Sequence, residues 1–353
     1  MTGPTELATS CRQAWKLIAQ INSKNMSMEL RAFGTTGFET TPVSFGAMRI
    51  NENEKGVSVA LLDALQKGVN FIDTARNYGE SERIVGQTLK QWNGEKPFIA
   101  TKVKPKDVSN WRFYVPIEQQ FTRESITRSV EDSLKTMGLE CLDLVQLHQW
   151  YYLWGHNTEW LETLLDLKTQ GKLRFIGVSA QDHEHDAVLS LVEGKLVDSV
   201  QILFNAFESR PFVSAFPLCE MRKVGTIIRC VYDHAGSLAT GGSVESCSAD
   251  VKLGNASKEM VREYLNRIQR LKSCLQEHDV SLPELAIRLP LSHPGVSNIA
   301  ASMSSPARVD QAIGAAEKGP LSEELLQQVL RDHVWVKNFY YFSKNTVDGN
   351  KVK

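Results

Sequence analysis

Short apolar runs and longer amphipathic stretches alternate along most of this chain. Val43-Ser-Phe-Gly46 reads as a first strand, and a helical pattern over 57–66 follows, with Leu61, Leu62 and Leu65 on one face. The alternation then predicts strand 70–74 and helix 81–91, strand 97–103 and helix 123–137, strand 142–147 and helix 158–170. It goes on with strand 173–178 and helix 183–193, strand 199–204 and helix 212–223, strand 225–231 and helix 258–277, then strand 296–301 and helix 306–316. Short runs that are apolar on both faces indicate parallel strands covered by helices. Eight such units fit an α/β fold of the closed (β/α)8 TIM-barrel type. An open doubly wound sheet is the rival, but it carries a Gly-rich phosphate turn after its first strand. This chain has Val43-Ser-Phe-Gly-Ala-Met-Arg-Ile there and no G-x-G-x-x-G.

Several segments lie outside the repeat. Arg31-Ala-Phe-Gly-Thr-Thr-Gly-Phe-Glu-Thr-Thr reads as an N-terminal hairpin able to plug one end of the barrel. Residues 236–257, rich in Gly, Ser and Ala, read as a long mobile loop. A last helix is expected from Leu321 to His333, followed by an aromatic tail, Trp335 and Phe339 to Phe342, packed over the mouth or a flank. Residues 1–28 are expected to be a poorly ordered extension ahead of a single domain, 29–353. The extension carries Glu6, has few arginines and lacks a long apolar core, so it does not read as a cleaved leader.

Composition narrows the classes. The chain has 353 residues, 42% of them hydrophobic, and a net charge of −1, so no global field draws it to nucleic acid or anionic membrane. No apolar stretch approaches the ~20 residues that span a bilayer. Six cysteines are scattered without a C-x-x-C pair, which suits reduced thiols and a cytoplasmic location.

Candidate chemistry sits at the strand ends. Asp73 closes Phe71-Ile-Asp73 and Tyr78 follows in a polar, Gly-containing turn, while Lys102 closes Pro97-Phe-Ile-Ala-Thr-Lys and His148 closes Leu142-Asp-Leu-Val-Gln-Leu-His. In a barrel, the C-terminal strand ends and the loops after them build the active site. A buried carboxylate needs a compensating cation, and Lys102 is the expected partner of Asp73. The same ammonium is expected to lower the Tyr78 phenol from its ordinary value of ~10. His148 then donates to a carbonyl oxygen or shares the proton, and Tyr78 acts as general acid as that carbonyl is reduced. Such chemistry needs a hydride donor, which implies a nicotinamide cofactor.

These residues carry a resemblance. Phe-Ile-Asp73-Thr-Ala…Tyr78-Gly-Glu-Ser-Glu82, Ala-Thr-Lys102, Leu-Val-Gln-Leu-His148, Lys172-Leu-Arg-Phe-Ile-Gly-Val-Ser179, Val200-Gln201-Ile-Leu-Phe-Asn205 and Ser304-Ser-Pro-Ala-Arg308-Val occur in the order found in aldo-keto reductases. The chain resembles that family from about residue 30 to about 335. The resemblance implies NADP(H) bound in extended form, with Asp73, Tyr78, Lys102 and His148 as the catalytic tetrad and Tyr78 as proton donor. Ser179 and Gln201 would hold the nicotinamide carboxamide, and Arg229 stands where family members often place an aromatic that stacks on the ring. A guanidinium plane can also stack. Ser302, Met303, Ser304, Arg308 and Gln311 match the segment around the adenosine 2′-phosphate, with Arg308 the bidentate contact. The loop after the seventh strand lacks the lysine that often follows its glycine, so pyrophosphate contacts fall to backbone amides between Leu238 and Gly241. Ala312 stands where many members read adenine with Asn.

On the substrate side, Arg49, Arg76, Trp111, Trp150 and Tyr151 are expected to wall a pocket for a small-molecule carbonyl compound: an aldehyde, a keto-sugar or a cyclic ketone. Lys104 and the turn His183-Glu-His185 read as solvated, and no metal site is expected. Two other functions share these residues: a cofactor-binding regulatory subunit, and a lyase or epimerase that uses bound cofactor.

Overall fold

The computed structural model describes residues 28–50, 54–106, 115–249, 253 and 256–335. Eight parallel strands close into a barrel: β3 (Val43–Gly46), β4 (Phe71–Asp73), β5 (Phe98–Val103), β6 (Leu142–His148), β7 (Leu173–Ser179), β8 (Ser199–Leu203), β9 (Gly225–Arg229) and β10 (Asn298–Ser302). Strand β10 returns to pair with β3, pairing Ile299 with Val43 and Ser302 with Gly46. The predicted (β/α)8 fold and all eight strands are present.

Strand alternation sorts the side chains into two cores. Outward residues such as Val43, Phe45, Ile72, Ile99, Val145 and Ile176 pack against the surrounding helices. Inward residues Phe71, Phe98, Ala100, Leu144 and Ile227 form a separate cluster inside the barrel. The hairpin β1 (Arg31–Ala32) and β2 (Glu39–Thr40) closes its base and drives Phe33 into that cluster. Phe33 meets Phe71 and Phe98 edge-on, with centroids 5.3 and 5.5 Å apart. Burial of one phenyl ring contributes roughly 1.5–3 kcal/mol. Gly34 makes the approach possible: it has φ +58°, and a Cβ there would lie 2.5 Å from the Gly225 nitrogen. Arg31 anchors the hairpin by donating to Leu291 O at 2.6 Å and Val296 O at 2.8 Å. Leu291 ends a helix, where carbonyls lack intrahelical partners and favour a cation.

The helix patterns hold with adjusted ends. The expected helix 183–193 is a 3-10 turn His185–Val188 followed by Leu189–Glu193, and 212–223 shortens to Ala215–Arg222. Helix Leu282–Leu291 has no counterpart among the predicted elements. It is apolar on nearly every face and so lacks a helical period, while Pro283 and Pro290 read as breakers. In fact Ser281 caps its N-terminus and Pro283 lies in the first turn, where no N–H is needed. Segment 236–257 is not one long loop: it contains short helices Ser237–Thr240 and Val244–Ala249. The last helix runs Glu323–Asp332, and Trp335 beyond it packs on the flank against Phe207 and Tyr264. Residues 1–27 and the tail Phe339 to Phe342 lie outside the described residues.

Candidate active site

Asp73 and His148 end strands β4 and β6, Lys102 is the penultimate residue of β5, and Tyr78 lies in the turn just after β4. That turn is braced from both sides. Tyr78 N donates to Ala75 O, Ser81 N donates to Tyr78 O, and Gly79 takes φ +57° between them. The Ser81 hydroxyl also donates to Ala47 O at 2.9 Å. The structure brings all four side chains together. Lys102 Nζ donates to both Asp73 oxygens at 2.8 Å and to Thr74 O at 2.9 Å. The ammonium lies 5.0 Å from the Tyr78 ring centroid, and the His148 ring stands edge-on to Tyr78 at 5.4 Å. Lys102 and Asp73 are buried, whereas Tyr78 and His148 keep partial exposure. The outer pair is therefore the one a ligand can reach.

The electrostatics correct one expectation. The Tyr78 phenol is not lowered: burial, then the Asp73 carboxylate, push it above its ordinary range, and the Arg229 guanidinium opposes them. Lys102, held by both Asp73 oxygens, is not among the charges that shift the phenol. Burial also lowers Lys102, with Asp73 opposing. His148 is pushed well below 6.5 by burial and then by Lys102 and Arg229, so its imidazole is neutral near pH 7. Its buried Nδ1 has no hydrogen-bond partner among the described residues.

Strand register extends the site. His148, Ser179 and Gln201 lie level across β6, β7 and β8. Gln201 Nε2 donates to Asp73 Oδ1 at 2.9 Å, and Ser179 Oγ donates to Gln201 Oε1 at 3.4 Å. Arg229 ends β9 and reaches over to the loop after β7, donating to Asp182 Oδ1 at 2.6 Å and Ala180 O at 2.7 Å. Ser302 ends β10, and Ser305 caps the helix Pro306–Glu317 that carries Arg308 and the exposed Gln311. Ser304 is partly buried in the turn before it. Arg308 has no acidic partner among the described residues and bears on the Tyr232 phenol. Leu238 and Met303 are buried in the outer core, and the amides of Leu238 and Gly241, expected to meet a pyrophosphate, donate instead to Tyr232 O at 3.0 Å and Ser237 O at 2.8 Å.

Two expectations for the pocket wall change. Arg76 turns outward to Glu82 at 2.7 Å and to Thr136 at 3.2 Å. Glu82, buried, also accepts from Thr101 and Ser133, so this cluster braces helix to barrel rather than lining a pocket. Trp150 is fully buried, its indole donates to Ala187 O at 2.9 Å, and it packs on Trp160. Gln149 takes φ 95° just before it, and Trp150 is seated among the helices. Arg49 is exposed on the loop after β3. Tyr151 is half-buried against Trp154, and burial pushes its phenol up to about 12. Trp111 lies outside the described residues.

Two groups escaped sequence reasoning. Lys272, from helix Lys258–Gln276, places Nζ 2.3 Å from the point a Gly241 Cβ would occupy. A cation therefore does stand beside the loop after β9, from another element. Secondly, His183 and His185 are not solvated: both are largely buried around Glu208, at 2.5 Å from His183 Nδ1 and 3.7 Å from His185 Nε2. Burial pushes His185 down to about 4 although Glu208 opposes it. An unfolded histidine titrates near ~6.5. Between these values the unfolded chain binds the extra proton, so stability is present above ~6.5 and is lost as pH falls through the window. The loss is roughly 3 kcal/mol at full titration. Denaturant unfolding at pH 7 and pH 4.5 measures it, and His185→Leu should flatten the slope; an unchanged slope refutes the assignment.

Comparison with known proteins agrees with the geometry. The family model described as "Aldo/keto reductase family" matches residues 42–331. "Uncharacterized oxidoreductase YqkF" of Bacillus subtilis is 25% identical over 311 residues, 87% of this chain and 96% of that protein. "Aldo-keto reductase YhdN" of the same organism is 27% identical over 280 residues, 76% and 82% of the two chains. The structure of aldo-keto reductase AKR11C1 from Bacillus halodurans in its holo form superposes with a TM-score of 0.65 at 23% identity, over 86% of this chain and 95% of that one, and shows the same fold. The chain belongs to the aldo/keto reductase family.

Proposed function

We propose that the protein reduces a small aldehyde or ketone to the alcohol with NADPH, Tyr78 donating the proton. The observation that carries this reading is the Lys102–Asp73 pair set beneath the Tyr78 ring, with His148 at the ring's edge. When bound, the reduced nicotinamide supplies the hydride. Burial keeps Tyr78 protonated until the substrate oxygen becomes more basic than phenolate, and the proton then passes outward. Neutral His148 offers an N–H to the same oxygen. Arg229 supports the phenolate left behind.

The residues present fit such a cofactor. Ser179 and Gln201 present polar side chains at one level, and Arg229 keeps a buried Nε without a hydrogen-bond partner among the described residues. Arg308 has no acidic partner to displace among the described residues, and Lys272 lies against Gly241 as a candidate for the pyrophosphate. Arg308 favours NADPH over NADH through a bidentate 2′-phosphate contact. Arg308→Ala should weaken NADPH about tenfold or more while barely changing NADH. Equal losses in a fluorescence titration refute that role. The substrate class within carbonyl compounds is proposed as an aldehyde, keto-sugar or cyclic ketone, reached from the cytoplasm.

The deciding experiment is an NADPH titration followed by an oxidation screen over these three classes. Net NADPH consumption supports the reductase. Tight binding without turnover supports a regulatory subunit, and product without net oxidation supports a lyase or epimerase.

A further inference from the structure

Arg229 ends β9 beside the tetrad and reaches across to the loop after β7. It leaves β9, passes the end of β8 and is clamped in the loop after β7 by Asp182 and the Ala180 carbonyl. Leu203 pairs with Arg229 in register, so Gln201 lies two residues below the level of Arg229. Arg229 is only 19% exposed, Asp182 is 4% exposed, and the guanidinium Nε is buried without a hydrogen-bond partner among the described residues. Two anchors and low exposure fix this cation in place. It is near enough to act on Tyr78, Lys102 and His148 alike.

A ring that delivers hydride to a carbonyl held at Tyr78 must enter the same mouth and share it with this guanidinium. Such a ring has two charge states: the oxidised nicotinamide is a cation and the reduced one is neutral. A fixed neighbouring cation repels the first and spares the second. Resting on the reductase reading, we propose that the clamped Arg229 is a specificity-determining residue which makes the protein bind the reduced cofactor in preference to the oxidised one. Asp182 is its positioning residue, holding the guanidinium against the mouth.

The test needs no turnover. NADPH and NADP+ carry the same adenosine, 2′-phosphate and pyrophosphate, so the ratio of their dissociation constants isolates the nicotinamide ring. Wild-type protein should bind NADPH about tenfold more tightly than NADP+, a bias equal to about 30 mV for a two-electron couple. Arg229→Met should bring the ratio close to one, chiefly by tightening NADP+, whereas Arg229→Lys should keep most of the bias. A merely structural latch would weaken both forms alike and leave the ratio unmoved. A wild-type ratio near one, or an unchanged ratio in Arg229→Met, overturns the proposal while leaving the reductase reading intact. Failure of both forms to bind removes the reductase reading and this inference with it.

Discussion

Tyr78→Phe should reduce the rate of carbonyl reduction by about 10²–10⁴-fold, the usual contribution of a positioned general acid. Cofactor affinity should stay within about twofold, since the substitution removes one oxygen from a ring already seated beside Lys102 and His148. The loss should fall on kcat, because the proton moves only in the transition state. Single-turnover NADPH oxidation, together with a binding titration, separates the two. Near-normal turnover in the phenylalanine variant would exclude the phenol as proton donor. His148 would then be the remaining candidate, and its neutral form near pH 7 makes it a poorer acid than an imidazolium.

Lys102→Met should be the most damaging single change to the fold at the site. Asp73 is 4% exposed and both its oxygens accept from Lys102 Nζ, so loss of the ammonium strands a carboxylate inside the barrel. Breaking one side of a buried pair costs about 3–5 kcal/mol, even where replacing both partners is nearly neutral. The double variant Asp73→Asn/Lys102→Met should therefore recover most of the stability and none of the activity. Gln201 sharpens the expectation, because its amide also donates to Asp73 and would be disturbed with it. Denaturant unfolding of the wild type, the single variant and the double variant reads this directly. A single variant within 1 kcal/mol of wild type would mean that Asp73 accepts a proton cheaply, and the pair would not be the electrostatic keystone.

Much of this was legible because barrel strands are short, apolar and covered on both sides. Strand ends then reveal themselves as the places where Asp73, Lys102 and His148 interrupt apolar runs. The helix Leu282–Leu291 was hidden for the converse reason, since burial on nearly every face erases the period that betrays a helix. Loop membership was readable for Arg76 and Trp150, but side-chain direction was not. Arg76 is claimed by Glu82, and Trp150 sits among the helices behind the loop. Lys272 approaches Gly241 from a helix distant in sequence, so only tertiary packing reveals it. The same holds for Glu208, which draws His183 and His185 out of solvent, and for Asp182, which holds Arg229. Local sequence carries identity and periodicity, and pairing across loops becomes visible only once the barrel has closed.

Phe33, wedged against Phe71 and Phe98 at the foot of the strands, turns the barrel into a cul-de-sac. That plug gives the phenol no approach from below, so a molecule that meets Tyr78 comes over the strand ends.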